Sequence, residues 1–240
     1  MRKWASKPTL LLIAAVAAAV VLSGCGGGGG ASAPPINDQL FTPNYISSLN
    51  LLLHWNHLPA RVSFLKPADF ADYGWSATIC EDAAAEWNQS GKQALTQVVP
   101  YGQPADVVVE FVSRENFSGG ANSTGITNAS YNTATHQIVS EAIQITPVKP
   151  PAFGNGYLSS NDAQVTIAHE IGHALGIQGH SPYPEDLMHD TFNMGQDYRP
   201  TTRDFNTVMT AYPNYFLPGQ AITQAMPSAG EGKIVTVSIE

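Results

Sequence analysis

Residues 169–181 read His-Glu-Ile-Gly-His-Ala-Leu-Gly-Ile-Gln-Gly-His-Ser, and this run constrains the chain more than any other. His169 and His173 stand four positions apart, so on a helix they project from one face, one turn apart. Two imidazoles so placed bind one zinc ion, at Zn–N distances of about 2.0–2.1 Å. Glu170 follows the first histidine and reaches the open side of such an ion, where a water sits. Gly176 is suited to end the helix in a left-handed conformation that other residues avoid. The chain can then turn sharply and return His180 as a third ligand. Three protein ligands leave the fourth position to water, the arrangement of a catalytic rather than a structural site.

The N-terminus reads as targeting rather than fold. Arg2, Lys3 and Lys7 precede an apolar run over residues 9–22, and Leu22-Ser23-Gly24 leads into Cys25. The apolar run is short for a membrane span, which needs about 20 residues. The pattern resembles a bacterial lipoprotein signal over residues 1–24, with Cys25 as the lipidated N-terminus of the mature chain. Losing the three basic residues takes the formal net charge from −8 to −11. An acidic surface disfavours nucleic acid and anionic lipid as partners, so membrane attachment rests on the lipid. Gly26 to Gly30 and Ala-Ser-Ala-Pro-Pro read as a flexible tether over residues 25–49. With Cys25 acylated, Cys80 has no disulfide partner and is expected as a buried thiol. Gly26 is not an inner-membrane retention aspartate, which favours an outer-membrane anchor in the cell envelope.

The folded part is expected from residue 50. Residues 61–65 alternate in the strand manner. Residues 76–90 read as a helix with Ser76 as N-cap and Gly91 ending it. The apolar run over 105–112 predicts a buried strand. Residues 113–135, rich in Gly, Ser, Asn and Thr, read as loop, and 136–145 as a further strand. Ser160 or Asn161 caps the helix over 163–177, with Asp162 in its first turn and Val165, Ala168, Gly172 and Leu175 facing the sheet. Thr201-Thr202-Arg203-Asp204 predicts a capping box before a last helix reaching about Ala211. Residues 233–239 are strand-like, with no evident neighbour, in a C-terminal extension over 214–240.

The segment 169–181 resembles the matrixin branch of the metzincins. Asp186-Leu187-Met188 stands where that family places its Met-turn, which makes Met188 the floor of the zinc site. Arg203-Asp204-Phe205-Asn206-Thr207 and Tyr212 resemble the closing helix. Trp87 and the strand near 105–109 resemble family elements more loosely, so the likeness covers residues 50–213. It implies an α+β, zincin-like fold: a twisted mixed sheet, an active-site helix, and a C-terminal helix after the Met-turn. Two features depart from the family. One extra residue separates Gly176 from His180, to be absorbed at Gln178-Gly179, where glycine tolerates an unusual angle. No propeptide with a cysteine switch is evident.

The resemblance further implies a zinc endopeptidase acting on a protein or peptide substrate. His169, His173 and His180 hold the metal and Glu170 is the general base. Substrate lies extended beside an edge strand around 136–145. Residues 189–200 wall the pocket for the side chain after the cleaved bond, with Phe192, Met194 and Tyr198 as candidate lining. Ser181 and Asp186 are candidates to orient the imidazoles. His54, His57, His136 and His189 are not expected as ligands. Calcium is common in the family, but Asp190, Asp197 and residues 122–132 show no calcium-loop spacing. A non-catalytic binding or adhesion lipoprotein of the same fold, and a cell-wall peptide hydrolase, stand as alternatives.

Overall fold

The computed structural model describes residues 52–65, 70–88, 94–212 and 232–239. The signal, Cys25, the tether, the Gly91 helix end, Pro213, and residues 214–231 and 240 of the C-terminal extension lie outside the described residues. Among the described residues no helix is long and apolar enough to cross a membrane.

Among the described residues one sheet of six strands organises the fold, in the order β2-β1-β3-β5-β4-β6. The strands are β1 (Ala60–Leu65), β2 (Thr96–Val98), β3 (Val107–Phe111), β4 (Gly125–Asn132), β5 (Ile138–Ile145) and β6 (Ile234–Ile239). β2, β1, β3 and β5 pair in parallel. β4 runs antiparallel to both β5 and β6. The result is the mixed α+β sheet that the sequence leads one to expect. Val107 and Val109 of β3 and Ile143 and Ile145 of β5 are fully or almost fully buried, which explains the apolar runs there.

Three expectations about the strands change. β4 occupies residues expected to be loop. Its inward positions are Thr127, Ala129 and Tyr131, and its outward ones Asn128, Ser130 and Asn132. The alternation is that of a half-buried strand, written in residues that also favour turns. β5 is consequently internal, between β3 and β4, and cannot be the edge along which a substrate lies. β6, which had no evident neighbour, pairs with β4 from Thr127↔Ile239 to Asn132↔Ile234.

Among the described residues three α-helices pack on the sheet and its connections: α1 (Ile79–Ala85), α2 (Ser160–Ala174) and α3 (Thr202–Ala211). α1 is shorter than the expected 76–90. Ser76 Oγ accepts from the Thr78 amide at 3.2 Å, which holds the chain in a turn and delays the helix to Ile79. After it, Trp87 swings inward, fully buried, and its Nε1 donates to the Ala168 carbonyl at 2.8 Å. α1 also carries Cys80, buried as expected. α2 is buried on nearly every side, with Gln164 its most exposed position in the middle turns. Its faces therefore differ from the expected single stripe. Thr166 and Glu170 bond β4 and the residue before it, while Gly172 meets Trp87 and Met188.

Candidate active site

α2 is capped by Ser159, one residue before the expected caps. Ser159 Oγ accepts from the Asp162 amide at 3.1 Å and donates to Asp162 Oδ2 at 2.6 Å. Asp162 Oδ1 in turn accepts from the Gly195 amide at 2.6 Å, tying the helix start to the loop beyond Met188. The helix ends at Ala174 rather than Ile177. Gly176 has φ +116°, and a Cβ there would run into the Leu53 carbonyl. Only glycine meets both conditions. The left-handed angle falls here and not at Gly179.

Within α2, His169 Nδ1 donates to the Leu187 carbonyl and His173 Nδ1 to the Ile177 carbonyl, each at 2.7 Å. A carbonyl only accepts, so both Nδ1 atoms carry the proton and both Nε2 atoms present lone pairs. Those two lone-pair nitrogens face each other at 3.1 Å, where neither can donate to the other. A cation resolves the conflict. Zinc with tetrahedral bonds of about 2.05 Å would set two ligand nitrogens about 3.3 Å apart. His180 completes the group: the three ligand atoms lie within 4.8 Å of one another, and His180 Nε2 is buried with no hydrogen-bond partner. The extra residue before His180 has thus been taken up by the loop. Burial, then the nearby His180, drives the His169 imidazole down to about 3. Burial likewise lowers His173 and His180, so all three are neutral and ready to coordinate.

Glu170 points from the same helix to β4. Thr127 Oγ1 donates to its Oε2 at 2.6 Å. Gly125 lies directly beneath, and a Cβ there would stand 2.6 Å from Glu170 Cγ. Neither Gly125 nor Thr127 was legible as a functional position, because the strand that carries them reads as loop. β5 brings a second carboxylate near. Glu141 is 3% exposed, and burial, reinforced by the charge of Glu170, raises its carboxyl well above the usual range.

His169 and His173 are oriented by backbone carbonyls and not by Ser181 or Asp186. Those two residues serve the loop instead. Ser181 Oγ donates to Asp186 Oδ2 at 2.5 Å, and the Ser181 amide donates to the Met188 carbonyl at 2.7 Å. Asp186 also accepts from Thr201 Oγ1 at 2.7 Å and from Arg203 Nε at 2.8 Å, inside the protein. The expected capping box at α3 is present: Thr201 accepts from the Asp204 amide, and Asp204 accepts from the Thr201 amide. Asp204 Oδ2 further accepts from the Leu187 amide at 3.2 Å. Asp186, Arg203 and Asp204 therefore clamp the segment whose Leu187 carbonyl fixes His169. Met188, fully buried, packs under the helix at Gly172, where any Cβ would collide with its sulfur.

Beside His169 and Glu170 opens a pocket of about 350 Å³, lined among others by Gly125, Thr166, Phe153, Phe192 and Met194. Its wall is mostly apolar carbon. Tyr198 does not line it: its hydroxyl donates to Gln196 Oε1 at 3.0 Å, and its ring backs Phe192 at 6.1 Å. His54, His57, His136 and His189 lie outside the three-histidine group. His54 bonds the carbonyls of Trp55 and Thr135, and His189 that of Thr191.

Comparison with curated proteins returned no match. Comparison with protein families matched residues 67–213 to the matrixins, more than half of the chain and the whole of the site. The chain therefore belongs to the matrixin family of zinc-dependent metallopeptidases.

Proposed function

We propose that this chain is a zinc endopeptidase that cleaves extended polypeptides. The observation that carries the reading is the opposed pair of lone-pair nitrogens on His169 and His173, facing the unpartnered Nε2 of His180. Such a group has no stable hydrogen-bonding arrangement of its own and is fitted to a cation. The three imidazoles would hold the ion. Zinc, when bound, supplies a Lewis-acid pole for the scissile carbonyl and brings the pKa of a bound water toward ~7. Glu170 takes the proton of that water and delivers it to the leaving amine nitrogen. Thr127 fixes one oxygen of the carboxylate, so the base is aimed before substrate arrives. Met188 and Gly172 pack the floor without offering a competing ligand. The apolar pocket beside His169 takes the side chain that follows the cleaved bond, favouring a large apolar residue there.

Cys25 carries the lipid in this reading, and the tether presents the enzyme at the bacterial cell envelope, on an outer-membrane anchor. The test is direct. Purified chain should bind about one zinc and cleave casein, and a chelator should stop cleavage. Glu170→Gln should retain the metal and lose about 10²–10⁴-fold in kcat. Cleavage at the parental rate by Glu170→Gln would remove the assigned base. Cys25→Ala should move the protein from the membrane fraction to the soluble fraction.

A further inference from the structure

One edge of β4 pairs with β5, and the chain itself covers most of the other. From Thr127 to Asn132 that edge is paired with β6. What remains uncovered is Gly125 and Ile126, next to the pocket and Glu170. Ile239 stands opposite Thr127, the residue that holds Glu170, and is 8% exposed. β6 is a built strand and not a loose tail. Ser238 Oγ donates to Asn128 Oδ1 at 2.7 Å, and the hydroxyls of Ser130 and Thr236 meet at 2.8 Å. The Thr133 amide donates to the Lys233 carbonyl at 3.0 Å. A Cβ at Gly232 would run into the Asn132 side chain, so the two segments approach closely there. Val235 and Val237 pack against the core alongside Ile239.

An extended peptide that joins a sheet does so by edge hydrogen bonds, and antiparallel pairing is the stronger kind. With the side chain after the cleaved bond in the pocket near 122–125, the residues before that bond run alongside 128–132, the stretch β6 already fills. We infer that β6 permanently occupies the half of the β4 edge that would read the substrate before the cleaved bond. The enzyme therefore selects polypeptides by the residues after that bond and accepts cuts close to a free N-terminus. This rests on the proteolytic reading of the same site.

The experiment uses the zinc-loaded full chain and a peptide it cleaves, shortened from either end. Shortening the N-terminal side should change kcat/KM by less than about threefold, and shortening the C-terminal side should lower it by about tenfold or more. A disulfide lock, Ser130→Cys with Thr236→Cys, joins two directly opposed positions and should leave the oxidised and reduced forms equally active. An oxidised form slower by about tenfold would mean that β6 must leave for substrate to bind, and would overturn the inference. An N-terminal truncation costing as much as a C-terminal one would overturn it as well, with proteolysis intact. Zinc-loaded protein that cleaves no peptide would overturn the proteolytic reading and the inference together.

Discussion

Gly125→Ala is the sharpest probe of how Glu170, the proposed base, is aimed. The new Cβ would stand 2.6 Å from Glu170 Cγ and 2.7 Å from Cδ. Ordinary carbon contacts begin near 3.4 Å, so the carboxylate must retreat by about 0.8 Å or the strand must move. The strand is held on both sides, by β5 and by β6 two residues on, so the side chain gives way. It then leaves the 2.6 Å hydrogen bond from Thr127. A misplacement of about 1 Å in a catalytic group can cost about 10²-fold in rate. The expected result is a kcat lower by about 10²-fold, with KM within a few-fold and zinc content unchanged. Steady-state kinetics on one peptide, with metal analysis on the same samples, checks it. A kcat within threefold of the parent, or a loss that appears only in KM, would refute the claim that Gly125 exists to leave room for Glu170.

Three further outcomes follow from the geometry. Gly176→Ala puts a side chain at φ +116° against the Leu53 carbonyl and should cost about 2–3 kcal/mol, lowering Tm by about 4–12 °C in thermal melts. Asp186→Asn breaks a buried ion pair with Arg203 and should cost about 3–5 kcal/mol in urea unfolding, whereas Ser181→Ala, which leaves the pair standing, should cost about 1 kcal/mol. The metal-stripped protein should become less stable in acid. His169 is held near 3 when folded, against about 6.5 unfolded, so between these values the unfolded chain binds the extra proton. Stability is then full above about pH 6.5 and falls as the pH drops toward 3, by up to about 1.4 kcal/mol per pH unit for this one group. Urea midpoints at pH 7.5 and 5.0 measure it, and equal midpoints would count against neutral burial of the imidazole.

The chemistry-bearing segment was legible because its spacing has one sensible solution: a helix, a glycine stop and a returning histidine. The capping box at Thr201 and Asp204 was legible for a similar reason, since it is a local pattern with a local partner. β4 was not. Its inward face is Thr127, Ala129 and Tyr131 rather than Val or Ile, and Thr127 there donates to Glu170 of α2. Without β4 in the sheet, β5 reads as an edge and β6 has nothing to pair with. The partners of the imidazoles were hidden for a different reason. Backbone carbonyls at Leu187 and Ile177 have no residue signature, whereas the polar side chains of Ser181 and Asp186 stand out in the sequence.

The position of the His173 anchor has a consequence of its own. Its carbonyl partner, Ile177, comes before the surplus residue, and the partner of His169, Leu187, comes after His180. Length added between residues 177 and 180 thus falls in a span that neither of the first two histidines leans on. Distance along the chain is uncoupled there from distance in space. The loop can be lengthened or shortened as a separate part, and only the arrival of one imidazole has to be renegotiated.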